Sequence, residues 1–434
     1  MVSVIGAGLA GCEAAWQISK QGINVRLFEM KPIEFTPAHK IDSLAELVCS
    51  NSLRSNQIEN AVGLLKEEMR MLDSLIIKTA DETKVPAGGA LAVDREKFSE
   101  IITSRIEQNE LIEVVRGRVI ERLPDEGVVI IATGPLTQGG LNEEIKNLVG
   151  SEYLHFFDAS APIVSFDSID MTKAYKASRY GKGNDDYINC PLEKEEYEEF
   201  VSHLIKAQAV SLKEFEDRKV FEGCMPVEVM AKRGVDTLRF GPLKPVGLVN
   251  PHTGKEPYAV VQLRQDNKEG SLFNLVGFQT HLKWPEQKRV FSKIPGLENA
   301  KFQRYGVMHR NTFINSPNIL DDCYRLIKDN NIYFAGQITG VEGYVESASS
   351  GFVAGLNAAL AVKGLKSINF PSSTAIGALS CYISDTSISN FQPMNVNFGI
   401  LDKLDEKIRN KKQKNEKIAK RALEVIGKLG RDYF

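Results

Sequence analysis

The first thirty residues contain the feature that most constrains the fold of this 434-residue chain. An apolar run at residues 2–5 precedes a G-x-G-x-x-G pattern formed by Gly6, Gly8 and Gly11, and a helical pattern follows. A second apolar run then ends at Glu29. This order predicts a strand, a tight turn, a helix and a second strand, which is the start of a dinucleotide-binding fold.

Each glycine in this turn has a mechanical reason. Gly6 permits the tight turn, Gly8 lets the backbone approach a pyrophosphate, and Gly11 lets the helix lie close to the strand. The helix N-terminus points free N–H groups and its positive dipole end at the phosphates. Glu29, 18 positions after Gly11, can accept hydrogen bonds from a ribose diol, which favours FAD or NAD over NADP. The predicted cofactor-binding residues here are Gly6, Ala7, Gly8, Leu9, Ala10, Gly11 and Glu29.

Two later segments favour FAD. The segment EGVVIIATGP (126–135) is a strand ending in Ala-Thr-Gly, which resembles the second dinucleotide-contacting strand of disulfide-reductase-like flavoproteins. The segment 331–362 combines a strand, a glycine-rich turn and a helix of small residues, and it resembles the C-terminal flavin-contacting part of the same class. We expect this helix to lie against cofactor or sheet through Gly351, Ala354 and Gly355. A second G-x-G-x-x-G, which would bind a nicotinamide cofactor, does not occur. The segment adds four predicted cofactor-binding residues: Gly336, Gly340, Gly343 and Tyr344.

These segments lie at the two ends of the chain, which predicts a discontinuous domain with an insertion. We assign residues 1–155 and 309–434 to a Rossmann-like α/β FAD-binding domain of the disulfide-reductase type, in which 94–123 form a helix followed by strands. Residues 156–308 are predicted to form an α+β insertion domain. Strand-like runs alternate there with an acidic helix at 192–207 and proline-rich turns.

The composition bears on the cellular environment. The formal net charge is −2, and no apolar run reaches the roughly 18 residues typical of a membrane span. The chain opens on MVSVIGAG, without a basic leader or apolar signal core. We therefore predict a soluble cytoplasmic protein. The six cysteines form no C-x-x-C and the six histidines no H-x-x-x-H, so neither a disulfide framework nor a metal site is predicted.

Positive charge is concentrated in three patches. Residues 407–421 carry eight Lys or Arg against one Glu, a local charge of +7. A single basic helix is most often a solvated face, whereas three patches beside a nucleotide-binding fold favour a polyanionic partner. The other two patches are formed by Lys232, Arg233, Arg239 and Lys244, and by Lys283, Lys288, Arg289, Arg304 and Arg310.

Two cysteines have polar or cationic sequence neighbours. Cys224 is followed by Lys232 and Arg233, and Cys49 is followed by Arg54 and several hydroxyl and amide side chains. Nearby cations lower a thiol pKa and raise its thiolate fraction. Context alone leaves a core role and a reactive role open for both. The other four cysteines are interpreted as small core residues: Cys12, Cys190, Cys323 and Cys381.

Five segments together resemble one protein family. The chain is similar, over essentially its whole length, to the bacterial folate- and FAD-dependent tRNA (uracil-5-)-methyltransferases, which are related to the GidA-type tRNA-modifying flavoproteins. One departure is Cys12, where a small residue such as serine is expected. The segments are GAGLAGCEAAW (6–16), LVCSNSLRSN (47–56), FEGCMPVEVMAKRGVDTLRFGPLKPVGL (221–248), FAGQITGVEGYVESASSG (334–351) and FQPMNVNFGI (391–400).

The resemblance implies a cytoplasmic enzyme that methylates C5 of the T-loop uridine of tRNA to give 5-methyluridine. It implies 5,10-methylenetetrahydrofolate as the carbon donor and FAD, reduced by NADH or NADPH, as the reductant. Cys224 is then the nucleophile that adds to uracil C6. Cys49 is the thiol beside the flavin that assists methylene transfer or C5 deprotonation, although the two roles can be exchanged. Tyr344 becomes a candidate to stack on the isoalloxazine or on the uracil.

Three alternatives stay open, and one of them is a non-catalytic RNA-binding flavoprotein that needs neither cysteine. The same chemistry on a ribosomal RNA uridine fits every residue named above. A FAD-dependent small-molecule oxidoreductase would explain the cofactor-binding segments, but it would leave the basic patches and both cysteine segments without a task. None of these functions calls for a metal or a membrane partner.

Overall fold

A computed structural model describes residues 1–150, 154–181, 184–210 and 225–433. Cys224, the predicted C6 nucleophile, lies outside these residues. The described strands are β1 (Val2–Ile5), β2 (Val25–Glu29), β3 (Ser52–Ser55), β4 (Lys84–Val85), β5 (Ala90–Val93), β6 (Ile112–Arg116), β7 (Val128–Ile131), β8 (Leu154–Ala159), β9 (Ile163–Ser165), β10 (Tyr175–Lys176), β11 (Tyr187–Leu192), β12 (Ala259–Gln265), β13 (Leu272–Leu275), β14 (Phe302–Arg304), β15 (Met308–Phe313) and β16 (Ile332–Phe334).

Helices follow many of these strands. The described helices are α1 (Leu9–Lys20), α2 (Ala61–Met71), α3 (Leu75–Glu82), α4 (Arg95–Glu107), α5 (Gly139–Val149), α6 (Lys194–Lys206), α7 (Val227–Lys232), α8 (Thr237–Phe240), α9 (Trp284–Phe291), α10 (Tyr344–Val362), α11 (Ala375–Ser384) and α12 (Lys411–Tyr433).

A five-stranded parallel sheet forms the first core, in the order β16-β7-β1-β2-β6. Every residue of β1 and β7 is buried, as expected for apolar β-branched strands covered on both faces. The predicted strand–turn–helix–strand order is confirmed, with α1 crossing between the parallel strands β1 and β2. The predicted strands in 126–135 and 331–362 are β7 and β16.

Close packing of α1 against α10 depends on two glycines of α10. A Cβ added at Gly351 would lie 2.2 Å from the carbonyl oxygen of Ala10, and one added at Gly355 would lie 2.6 Å from that of Ala14. These glycines therefore let α10 contact α1 backbone to backbone. The same helix also lies against β7, β1 and β16, as expected for a helix packed on the sheet. By length and composition α10 could span a membrane, yet 89% of its apolar window is buried inside the protein.

A six-stranded antiparallel sheet, β10-β11-β12-β13-β9-β14, forms the second core. The predicted acidic helix is α6, whose apolar face is buried against this sheet while its glutamates face solvent. One hydrophobic cluster draws on residues 2–149 and 313–426, and another draws on 161–300. The paired strands β8 and β15 connect them. The domain boundaries stay a prediction, which these separate clusters support.

Two further segments differ in detail from expectation. After α4, only β6 forms, and residues 119–123 are not a strand. The basic C-terminal segment does form a helix, α12, which buries Ile418, Ala422 and Ile426. Its contacts with α2 leave the lysines of its outer face exposed.

Candidate active site

The candidate active site is a cleft of about 390 Å³ at the carboxyl ends of the parallel strands. Its walls include Gly6 after β1, Met30 after β2, Gly134 after β7 and Gly336 after β16. Because β1 pairs with β2 on one side and β7 on the other, the order of strands reverses at β1. Open parallel sheets bind ligands at such switch points.

The turn after β1 opens into this cleft. Ala7, Gly8, Leu9 and Ala10 line it, and Gly8 is the N-cap of α1. A Cβ added at Gly8 would meet no atom within 4 Å, so this glycine leaves open space in front of the helix N-terminus. An anionic group can therefore approach the backbone N–H groups there.

Glu29 supplies a fixed carboxylate at the end of β2. It is 7% exposed, and its Oε2 accepts a hydrogen bond from the Ala7 N–H at 3.3 Å. Its Oε1 accepts one from the Lys31 N–H at 3.0 Å. Each carboxylate oxygen can accept a further hydrogen bond, so Glu29 is suited to receive hydroxyl donors in the cleft.

Three of the predicted glycines are not among the described residues that line the cleft. A Cβ at Gly11 would lie 1.8 Å from the carbonyl oxygen of Gly6, so Gly11 permits the close approach of helix and turn. Gly340 has φ +86°, and its Cβ would lie 2.4 Å from the Phe391 ring. Gly343 has φ +112°, which also favours glycine. Their assignment as cofactor contacts stays a prediction.

Cys49 lines the same cleft and is partly exposed. Its Sγ lies 3.6 Å from the carbonyl oxygen of Ala159, and its N–H donates to Tyr344 Oη at 2.7 Å. The Ser50 N–H donates to the same oxygen at 3.2 Å. Tyr344 is the first residue of α10, so its hydroxyl fixes the cysteine loop to the N-terminus of that helix.

Two arginines hold this loop through its carbonyl oxygens. Arg95 Nη1 donates to the Leu47 carbonyl, and Arg304 Nη2 donates to the Val48 carbonyl at 2.7 Å. The Arg95 guanidinium also forms a buried ion pair with Asp266, at 2.9 Å. Because Arg95 belongs to α4 and Asp266 follows β12, this ion pair links the two cores directly behind the loop.

A third arginine, Arg264 of β12, binds the other end of the loop. Its Nη2 donates to Ser50 Oγ at 2.7 Å, and its Nε donates to Asn51 Oδ1 at 3.1 Å. Asn51 in turn donates to the carbonyl oxygen of Gln265 at 2.9 Å. Cys49 thus lies in a loop to which three guanidinium groups donate hydrogen bonds.

The remaining cysteines have different environments. Burial raises the pKa of Cys12, Cys190 and Cys381, and it raises the pKa of Cys323 to about 12. Such thiols stay protonated near neutral pH. Cys12, Cys190 and Cys323 are buried, in agreement with their interpretation as core residues, whereas Cys381 is only half-buried. Burial and the proximity of Cys49 also raise the pKa of Tyr344, so its phenol stays protonated.

Known proteins share the sequence and the fold of this chain. A family model described as glucose inhibited division protein A matches residues 1–366. The methylenetetrahydrofolate–tRNA-(uracil-5-)-methyltransferase TrmFO of Acetivibrio thermocellus is 69% identical to this chain, over 98% of the chain and 97% of that protein. TrmFO of Listeria innocua is 60% identical, over 99% and 98% of the two chains. The chain belongs to the TrmFO family.

The fold of this TrmFO family member is also that of a solved structure. GidA from Aquifex aeolicus, in its form II crystal, matches with a TM-score of 0.73 at 17% identity. The match covers 99% of this chain and 73% of that one. It confirms the Rossmann-like α/β fold predicted from the sequence, and family membership confirms the resemblance found in the five segments.

The residues that flank the segment containing Cys224 lie near the cleft. The Val227 N–H donates to the carbonyl oxygen of Gln279 at 2.8 Å, and the neighbouring Thr280 N–H donates to that of Ser160 at 3.3 Å. Ser160 lines the cleft beside Ala159, the residue that Cys49 Sγ contacts. Val227, which is three positions after Cys224, is therefore joined to this wall of the cleft through Gln279 and Thr280.

Sequence reasoning missed several parts of the site. The stretches 30–39 and 118–120 contribute cleft-lining residues, although neither carries a recognisable motif. Arg95 and Arg264 come from distant elements, and only the fold brings them to the cysteine loop. Arg54, which the sequence suggested as the nearby cation, forms an ion pair with Glu346.

Asp321, Asp322 and Cys323 place three potential ligand atoms within 4.8 Å of one another, away from the cleft. Asp321 Oδ2 already accepts from Arg325 Nε at 2.9 Å, and Asp322 Oδ2 accepts from Asn369 Nδ2 at 2.6 Å. The expectation that the chain binds no metal stays a prediction.

Proposed function

We propose that this chain is a folate- and FAD-dependent methyltransferase that forms 5-methyluridine at the T-loop uridine of tRNA. The observation that carries the proposal is Cys49, a partly exposed thiol in the cleft into which the nucleotide-binding turn opens. One cavity thereby combines an accessible thiol with the proposed cofactor site. The TrmFO relatives, at 58–69% identity, are named for this reaction.

The cleft residues fit FAD. The open space at Gly8 and the α1 N-terminus suit the pyrophosphate, and Glu29 suits a ribose diol. Small residues at Gly134 and Gly336 leave room along the strand ends. When bound, FAD supplies the reducing equivalents for the transferred one-carbon unit, and NADH or NADPH replenishes them.

The chain's own residues then act on the uracil ring. The Cys224 thiolate forms a bond to C6, and the electrons of the C5–C6 double bond move to the O4 enolate, which makes C5 nucleophilic. C5 then bonds to the methylene carbon of methylenetetrahydrofolate, whose C–N bond breaks so that tetrahydrofolate leaves, and two reducing equivalents convert the methylene to a methyl group. A base removes the C5 proton, the S–C6 bond breaks, and the double bond returns. Cys49 assists methylene transfer or serves as that base.

The proposed RNA partner accounts for the positive charge. The α12 helix keeps its apolar residues on α2 and exposes its lysines, which suits contact with phosphates. A T-loop uridine is stacked in folded tRNA, so the uracil must leave its stack to reach the cleft. A ribosomal RNA uridine would demand the same chemistry, and it is the second candidate substrate.

A direct assay tests this proposal. Purified protein is incubated with unmodified tRNA, methylenetetrahydrofolate and NADPH, and the digested RNA is analysed by mass spectrometry for 5-methyluridine. We expect product that disappears when folate is left out. Product on ribosomal RNA fragments alone would keep the chemistry and change the substrate. NADPH oxidation without product on either RNA would contradict the proposal and favour a small-molecule oxidoreductase.

Glu29→Gln tests the assignment of the cofactor site. Removing the negative charge weakens a charge-assisted hydrogen bond to the ribose diol, which contributes about 1.5–3 kcal/mol. We expect the FAD dissociation constant to rise about ten- to one-hundred-fold in a fluorescence titration of apo-protein. Glu113→Gln, at an exposed side chain of the edge strand β6, is the matched control and should leave the FAD dissociation constant unchanged. Equal FAD affinity in Glu29→Gln and wild type would remove Glu29 from the cofactor site.

A further inference from the structure

Three aromatic rings form a stack that ends at the surface of the second core. The rings of Phe302 and Tyr305 lie 5.4 Å apart with an interplanar angle of 12°, and those of Tyr305 and Trp284 lie 5.6 Å apart at 14°. Phe302 in turn contacts the buried Phe291 ring at 6.5 Å. Trp284, the outermost ring, is 58% exposed. A large, flat aromatic surface is thereby held against solvent by rings anchored in the core.

The chain around Trp284 is positively charged. Between residues 283 and 289 it carries Lys283, Lys288 and Arg289 against one acid, Glu286. Lys283 and Lys288 are exposed, and Lys283 Nζ contacts the neutral Gln208 Oε1 at 3.3 Å. Nucleic-acid surfaces that bind unpaired bases combine such cations, which contact phosphates, with an aromatic face on which a base stacks.

The segment that carries Tyr305 also forms part of the candidate site. Arg304 donates to the carbonyl oxygen of Val48, the residue before Cys49. On the other side of Tyr305, a Cβ added at Gly306 would lie 2.6 Å from the carbonyl oxygen of Ser160, which lines the cleft. The aromatic stack is therefore built on the same few residues that support the cleft wall.

Backbone contacts also join the residues just before Trp284 to the described chain at 208–210 and at 227. The Lys283 N–H donates to the Gln208 carbonyl at 3.0 Å, and the Val210 N–H donates to the His281 carbonyl at 2.9 Å. The Val227 N–H donates to the Gln279 carbonyl. Residues 279–283, directly before Trp284, thus contact described chain on both sides of the Cys224 segment.

We propose that the exposed face of Trp284 stacks on a nucleobase of the RNA substrate, next to the uridine that enters the cleft. This inference rests on the proposed function, and it assigns a binding site to residues outside the cleft. A uridine that leaves its stack deprives its neighbours of a stacking partner, and the indole replaces that partner. Lys283 and Lys288 contact the adjoining phosphates. Since every base has a π face, this contact adds affinity without reading the sequence.

The first test measures RNA affinity with labelled, unmodified tRNA by fluorescence anisotropy. In Trp284→Ala we expect the dissociation constant to rise about five- to one-hundred-fold, the range that one base–aromatic stack accounts for. Trp284→Phe, which keeps a smaller ring, should recover most of the affinity. Leu365→Ala removes another exposed apolar side chain, 57% exposed and outside the basic patches, and is the control that should bind as wild type does.

The second test uses Trp284 as its own reporter. The chain has two tryptophans, so a Trp16→Phe background leaves Trp284 as the only one. Addition of tRNA should quench its fluorescence, and the quenching should saturate at the dissociation constant found by anisotropy. Fluorescence that does not change while tRNA binds would overturn the inference.

The outcomes separate this inference from the proposed function. If the wild-type protein methylates tRNA and the Trp284→Ala variant binds RNA with unchanged affinity, the proposed stacking on Trp284 is wrong and the proposed function stands. A change of Trp284→Ala from dimer to monomer with unchanged RNA affinity would mark the face as a contact between copies of this chain, and would also overturn it. A wild type that neither binds nor methylates any RNA would overturn both.

Discussion

Cys49→Ala should lower the rate of 5-methyluridine formation by about 100- to 10,000-fold, the range associated with loss of a positioned acid–base group. FAD should stay bound at the wild-type ratio. Cys49 Sγ lies 3.6 Å from the Ala159 carbonyl oxygen, whereas the loop is held by its backbone and by the arginines. Removing the thiol therefore leaves the loop in place and deletes only its chemistry.

The measurement compares product formed per unit time with the FAD-to-protein absorbance ratio of each preparation. Cys381→Ala is the control, since Cys381 is a half-buried cysteine whose pKa is raised by burial. It should retain both activity and flavin. A fully active Cys49→Ala enzyme would contradict the catalytic role of Cys49. Loss of FAD from the same variant would indicate that Cys49 has a structural role.

A modified RNA distinguishes the roles of the two cysteines. In 5-fluorouridine the C5 proton is replaced by fluorine, which a base cannot remove, so the S–C6 bond persists after the one-carbon unit is attached. The cysteine that adds to C6 is required for this covalent complex, whereas the cysteine that removes the proton is not. We expect a stable RNA–protein complex with Cys49→Ala and none with Cys224→Ala. The reverse pattern would exchange the two roles.

Most of the fold that could be predicted from the sequence was predicted from short continuous segments. The turn glycines lie within six residues of one another, and Glu29 follows 18 positions after Gly11. The sequence could predict them because strand, turn and helix occur in one continuous stretch. Their predicted order is the order of β1, α1 and β2. The segments containing β7 and β16 gave the same kind of signal, although pairing with β1 depends on contacts far apart in sequence.

The support of the cysteine loop could not be predicted from sequence. Leu47, Val48 and Ser50 are held by side chains that are 48, 256 and 214 positions away along the chain. No motif spacing encodes such contacts. The cation expected from local sequence, Arg54, turned out to pair with Glu346 on α10. The charges around Cys49 thus depend on residues that the fold brings close, and the cation nearest in sequence did not identify them.

Arg95→Met should lower the free energy of unfolding by about 3–5 kcal/mol, which is the cost of leaving one partner of a buried ion pair without its counter-charge. The Arg95 and Asp266 side chains are 9% and 5% exposed, so solvent cannot replace the lost partner. The variant also loses the hydrogen bond from Arg95 to the Leu47 carbonyl, and methylation should fall with it. Denaturant unfolding followed by tryptophan fluorescence measures the first effect.

Two further variants separate burial from charge in this effect. Arg26→Met removes an ion pair with Glu113 whose side chains are 40% and 60% exposed, so it should cost less than about 1 kcal/mol. Arg95→Met combined with Asp266→Leu removes both buried charges and should recover part of the lost stability, since no uncompensated carboxylate is left. Recovered stability without recovered methylation would mean that Arg95 matters to the reaction through the cysteine loop. An Arg95→Met protein as stable as Arg26→Met would show that this ion pair does not hold the two cores together.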